Sequence, residues 1–199
     1  MIYVEYIERD RFLPIEIFRK LGDQSSWTDS QDTLAGSFGR TMRIGPMPSY
    51  LAFWRCKGMK RMDEWEAHFN SPEAQFDFAE KATHRAIHLQ HGGCYDELLT
   101  GPEVDRDKLF CIEYFPTHTR LSPEEVLRHY RARAEKQLKA SLNFVLHRIG
   151  RLGPDPGGIA VWSFADYCDL ETFERARDDD DPLRPAEIGV YRWFGKEIL

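Results

Sequence analysis

The sequence predicts an α+β chain built from two tandem copies of one unit, each ordered strand, helix, strand, strand, helix, strand. Two observations predict it. The first is internal repetition: Arg43 to Trp54 (RIGPMPSYLAFW) aligns with Arg151 to Trp162 (RLGPDPGGIAVW) at a displacement of 108 residues. The same displacement lays Ile2 to Ile7 on Phe110 to Phe115 and Asp63 to Glu66 on Glu171 to Glu174. Three blocks in one register mark a duplication. Near the unit ends, Gly93-Cys94-Tyr95 matches Gly189-Val190-Tyr191 at a displacement of 96, so the first unit carries 12 extra residues, assigned to Gln75 to His91. The second observation is the switching of apolar periodicity between 2 and 3.6 along each unit, the signature of alternating strands and helices.

Taken in order, the first strand of each unit spans about Ile2 to Ile7 and Phe110 to Phe115. The clearest helix opens at Ser122, an N-cap serine followed by Pro123 and the acidic first turn Glu124-Glu125, and is expected to run to about Ala140. Its counterpart near Pro14 is shorter. Strands at about Leu34 to Ile44 and Tyr50 to Cys56 flank a Gly-Pro-x-Pro connection, where proline ends the ladder and a hairpin results. Leu142 to Leu152 and Ile159 to Phe164 repeat them. Helices near Arg61 to Phe69 and Leu170 to Arg177 follow, then strands at Cys94 to Leu99 and Gly189 to Phe194. The units divide the chain at 1–104 and 105–199, together forming one compact body.

Composition sets the function classes aside or leaves them open. With 199 residues, 42% hydrophobic and 30% charged, the chain is an ordinary globular one. The formal charge of −6, from 33 acidic and 27 basic residues, disfavours nucleic acid and anionic membranes as partners. No apolar run reaches membrane-spanning length, and the acidic start (Glu5, Glu8, Asp10) is not that of a signal peptide, so a cytoplasmic protein is expected. Cys56, Cys94, Cys111 and Cys168 form no C-x-x-C pair and are expected as free thiols. Walker, Rossmann and G-x-S-x-G signatures are absent from the sequence. The run Asp178 to Asp181 before Pro182 has no EF-hand spacing and reads as a solvated turn.

The element order is that of the ferredoxin-like motif, whose open sheet is bare on one face, so two copies can cover each other. Two such units stacked sheet to sheet resemble the dimeric α+β barrel superfamily, which includes EthD-like and NIPSNAP-like proteins, antibiotic-biosynthesis monooxygenases, polyketide cyclases, muconolactone isomerases and the chlorite dismutase group. The run Asp63 to Ala74 (DEWEAHFNSPEA) is similar to a helix-then-His-Ser-Pro-Glu segment of that superfamily. The resemblance implies a single-chain α+β barrel with a cavity between the sheets that binds a small, often aromatic or polyketide-like molecule. It also implies that some members hold haem through a histidine on a helix near the sheet.

Strand parity then nominates site residues, because alternate side chains face opposite sides. Ile2, Val4 and Tyr6, with Phe110, Ile112 and Tyr114, form the apolar set expected to face the helices. Tyr3, Glu5 and Glu113 would then face the cavity, where burial raises a carboxyl pKa into a useful acid–base range. Arg43 and Arg151 are either salt-bridge partners of those carboxylates or holders of an anionic substrate. His147 aligns with Gly39 and, if it faces inward, could relay a proton with Glu113; otherwise it is a strand-edge histidine. Trp54 and Trp162 recur at equivalent positions, as core or as substrate-stacking surfaces.

His84, His88 and His91, spaced i, i+4 and i+7, would share one helical face in the insertion and could ligate haem or a metal, or be solvated and capping residues. These readings give a cofactor-independent lyase, isomerase or cyclase using Glu5, Glu113 and His147, with Tyr3, Arg43, Arg151, Trp54 and Trp162 around a small-molecule substrate. The alternatives are a haem-dependent or oxygen-using enzyme centred on His84 or His88 and a non-catalytic ligand-binding barrel. A monomer or a homodimer is expected.

Overall fold

A computed structural model describes residues 1–9, 33–45, 48–72, 87–116, 121–154, 157–178 and 180–194. Its strands are β1 (Ile2–Arg9), β2 (Thr33–Arg40), β3 (Tyr50–Arg55), β4 (Ile87–Thr100), β5 (Leu109–Phe115), β6 (Ala140–Arg148), β7 (Gly158–Phe164) and β8 (Glu187–Trp193). Three helices lie among the described residues: α1 (Lys60–Phe69), α2 (Pro123–Lys136) and α3 (Tyr167–Arg175). The helix expected near Pro14 falls outside them.

The strands close into one antiparallel barrel in the order β1-β3-β2-β8-β5-β7-β6-β4. Each half contributes four strands in ferredoxin-like order, and the halves join at two seams, β2–β8 and β4–β6. Closure leaves no sheet edge to protect. Backbone hydrogen bonds from the residues just before the repeated Gly-Pro-x-Pro segments add to the ladders at both seams. Thr41 N–H donates to Val190 O (2.9 Å) and Val190 N–H to Ile44 O (3.1 Å), while Ile149 N–H donates to Cys94 O (2.9 Å) and Cys94 N–H to Leu152 O (2.8 Å). Both turns need glycine. At Gly45 (φ +98°) an added Cβ would lie 2.3 Å from Ile188 O, and at Gly153 (φ +145°) 2.8 Å from Gly93 Cα.

Two apolar layers result. The barrel interior is filled by Ile2, Val4, Tyr6, Phe38, Phe53 and Tyr95 from the first half and by Phe110, Ile112, Tyr114, Phe144 and Tyr191 from the second. Tyr6 and Tyr95 share a hydroxyl hydrogen bond (2.6 Å), as do Tyr114 and Tyr191 (3.1 Å), so the duplication extends to the polar atoms of the core. The second layer lies between the second half's sheet and its helices, around Cys111, Phe115, Tyr130, Trp162 and Phe173.

Local chemistry explains where the elements depart from expectation. α2 starts at the expected N-cap Ser122, where a capping box forms, with Glu125 N–H donating to Ser122 Oγ (3.3 Å) and Ser122 N–H to Glu125 Oε2 (2.7 Å). It stops at Lys136 because Ala140 already belongs to β6. α3 begins earlier than expected because Asp166 caps it, its Oδ1 accepting from Cys168 N–H and Asp169 N–H, both at 2.9 Å. β4 begins at Ile87, inside the segment assigned to the insertion. No helix among the described residues is long and apolar enough to cross a membrane.

Candidate functional site

Closure reverses the expected facing of the strands. Ile2, Val4 and Tyr6, and Phe110, Ile112 and Tyr114, fill the barrel interior, so Tyr3, Glu5 and Glu113 point outward, toward the helical side. The inter-sheet space, where a cavity was expected, is occupied by those apolar and aromatic side chains. β1 and β5 lie diametrically opposite in the barrel, and Glu5 and Glu113 are therefore two separate stations, not one acid–base pair.

At the second-half station, Glu113 is fully buried. Arg133 from α2 clamps it bidentately, Nη1 donating to Oε2 (2.9 Å) and Nη2 to Oε1 (2.8 Å). Arg177 Nη2 donates to Oε1 (2.9 Å) and Trp162 Nε1 to Oε2 (3.0 Å). The guanidinium of Arg133 also lies over the rings of Trp162 (5.1 Å) and Phe173 (4.7 Å), and that of Arg177 over Phe173 (5.9 Å). A carboxylate this enclosed and this fully paired has no lone pair directed at a ligand.

The first-half station repeats the pair without the arginines. Trp54 Nε1 donates to Glu5 Oε2 (2.8 Å), as Trp162 does to Glu113. That is the only hydrogen bond to Glu5 among the described residues, and Glu5 remains partly exposed. Burial pushes the Glu5 carboxyl above its ordinary value, against the lowering effect of the Trp54 hydrogen bond. Tyr3 is the cross-strand neighbour of Trp54 and meets Trp65 of α1 edge to face at 5.3 Å. Burial, then the nearby Glu5 charge, pushes the Tyr3 phenol up to about 12. Gly92, opposite Glu5 on β4, is the space Tyr3 lies across, since a Cβ there would sit 2.1 Å from the phenol oxygen.

The remaining sequence-nominated residues are dispersed. Arg43 and Arg151 are exposed on the seam turns and touch neither carboxylate; the salt-bridge partners of Glu113 are Arg133 and Arg177, whose roles no spacing in the sequence marked. His147 points outward with Val145, because Phe144 and Leu146 take the interior. It sits on β6, with β7 between it and β5. Burial lowers its pKa while Asp96, its neighbour on β4, opposes this. Trp162 is fully buried core, whereas Trp54 is only partly buried. His88 and His91 lie on β4, a strand and not a helix, with an irregularity in register beside His91, so the helical i, i+4, i+7 face does not form. His91 is exposed; His84 and the side chain of His88 lie outside the described residues. All four cysteines are free thiols. Among the described residues no cluster of three metal-ligating side chains forms.

No family model matches the chain, and no curated protein matches it. Solved structures do. A chlorite dismutase variant from Candidatus Nitrospira defluvii superposes with a TM-score of 0.54 at 10% identity, over 96% of this chain and 91% of that one. The fold is that of the chlorite dismutase-like α+β barrels. An anthrone oxidase-like protein gives 0.56 at 12% identity, covering 96% and 90% of the two chains. A haem-binding protein from Thermus thermophilus gives 0.55 at 14% identity, also over 96% and 90%.

Proposed function

We propose that this chain is an oxygen-using enzyme acting on a small aromatic or carbonyl-containing molecule, with its reactive face on the outer side of the first half around Glu5. The single observation that carries the reading is the contrast between two equivalent carboxylates: one sealed by two arginines, the other partly exposed, raised in pKa and held, among the described residues, only by Trp54. The likeness of fold to an anthrone oxidase-like protein supports oxidation over a lyase, isomerase or cyclase reaction. Glu5 engages the polar group of the substrate and exchanges a proton with it. Trp54 holds Oε2, so that Oε1, which has no described partner, is the reacting oxygen. Tyr3 and Trp65 supply an aromatic wall.

A screen of aromatic and carbonyl compounds in an oxygen electrode tests the proposal. Glu5→Gln is expected to lower turnover by about 10²–10⁴-fold, the usual worth of a positioned acid–base group. An unchanged rate overturns the assignment. Product formed without oxygen uptake would instead identify a lyase or isomerase working through the same carboxylate.

A haem protein is the second reading, favoured by the likeness to chlorite dismutases and the haem-binding protein. The second half does not fit the group. A porphyrin between its sheet and helices would have to displace Trp162, Tyr130 and Phe173, which fill that layer. His129 there is already engaged by Asp181 at 3.1 Å. The reading is therefore kept for the first half, where His84 and His88 are the sequence candidates. An absorption spectrum of protein from haem-replete cells decides it: a Soret band that disappears in His88→Ala or His84→Ala supports a haem site, and a colourless protein removes it.

A further inference from the structure

The two stations share more than a carboxylate and an indole. At the displacement of 108 residues Trp65 of α1 aligns with Phe173 of α3, so the sequence of each half carries a Glu, a Trp and a second aromatic residue at aligned positions: Glu5, Trp54 and Trp65, against Glu113, Trp162 and Phe173; the Phe173 ring meets Trp162 at 5.0 Å, and the Trp65 ring meets Tyr3 at 5.3 Å. In the second half this trio already holds organic cations. The guanidinium groups of Arg133 and Arg177 bond to Glu113 at 2.8–2.9 Å and lie over Trp162 and Phe173 at 4.7–5.9 Å. At the same displacement of 108 residues, the first half has Ser25 in place of Arg133 and Phe69 in place of Arg177. No basic side chain among the described residues pairs with Glu5.

We infer that the Glu5–Trp54–Trp65 station is a receptor for a ligand bearing a cationic nitrogen group, an amidinium, guanidinium or aromatic ammonium, whose bound geometry the protein itself displays at Glu113. The inference rests on the reading of the Glu5 face as the ligand site and names the class of molecule it takes. Three physical features favour a cation over an anion or a neutral phenol. A partly desolvated carboxylate repels anions and gains most from an opposite charge. Indole and phenol rings present negative faces to a cation. The Trp54 N–H occupies Oε2 and leaves Oε1 as acceptor, so the ligand must be the donor. Burial raises the Glu5 pKa, so binding a cation is expected to release a proton at pH values where the free carboxyl is partly protonated.

Titration calorimetry with benzamidine and with benzamide, its neutral isostere, tests this. Wild-type protein is expected to bind benzamidine at least tenfold more tightly, the preference vanishing in Glu5→Gln. Equal binding of the two probes, or a preference that survives Glu5→Gln, overturns the inference. A second variant guards against misfolding of the first. Trp54→Phe removes the indole N–H that holds Glu5 Oε2 and is expected to weaken benzamidine binding several-fold while leaving benzamide binding unchanged; unchanged benzamidine binding counts against the inference. If turnover falls in Glu5→Gln but benzamidine has no advantage, the cation specificity is wrong and the catalytic face stands. If neither turnover nor binding responds to Glu5, both fall.

Discussion

Glu113 and Glu5 descend from one position in a duplicated unit, each receives a tryptophan N–H across the same strand pair, and yet their fates differ. Glu113 carries two arginines and no exposure; Glu5 carries no described cation and keeps some. A buried carboxylate requires compensation of its charge. The second half supplies it internally and gains a rigid layer between sheet and helices. Among the described residues of the first half none supplies it, which is costly for a structural residue and useful for one that meets a ligand. Duplication provides the means: one copy can hold the barrel closed while the other diverges.

The largest effect that tests this contrast is on stability. Glu113→Gln leaves the Arg133 guanidinium buried without its counter-charge and Arg177 with Glu174 alone, and is expected to cost about 3–5 kcal/mol, read as a large fall in Tm or in the urea midpoint. A variant as stable as wild type would show that the arginines do not depend on Glu113, and the asymmetry would lose its meaning.

A smaller effect probes the seams. Gly45→Ala places a methyl group against Ile188 O in a backbone conformation that L-residues rarely adopt, and is expected to cost about 1–3 kcal/mol. Gly153→Ala, in the equivalent turn, should behave alike in thermal denaturation; a marked difference would mean that the two seams are not equally important to closure.

The smallest effect is a pH dependence. Because the folded-state pKa of Glu5 is raised from an ordinary value of 4.5, the folded protein holds more protons than the unfolded one between the two values. Its contribution to stability is therefore greatest below pH 4.5 and falls as pH rises toward the folded-state pKa. Denaturation curves of wild type and Glu5→Gln should diverge with rising pH across that window, the Gln variant being the less pH-sensitive. Parallel curves would place Glu5 in water rather than in a partly desolvated station.

The sequence by itself determined the duplication, the strand order and the equivalence of Glu5 with Glu113 and Trp54 with Trp162, because repeated blocks and alternating apolar residues are local and survive without a fold. The N-cap of α2 was equally legible, since Ser122, Pro123 and the acidic first turn lie within four consecutive residues. Only the tertiary structure decided which face of each strand turned inward. In β5 both faces are buried, so hydrophobicity could not choose between Ile112 and Glu113; closure of the barrel did, by giving the interior to one parity and the helices to the other. It also decided that β4 reaches back through His88 and His91, because pairing with β1 extends to Ile87 and outweighs a histidine spacing that suits a helix. The partners of Glu113 likewise came from packing. Arg133 and Arg177 lie 20 and 64 residues away, and a separation of that length is bridged only when helix and sheet meet.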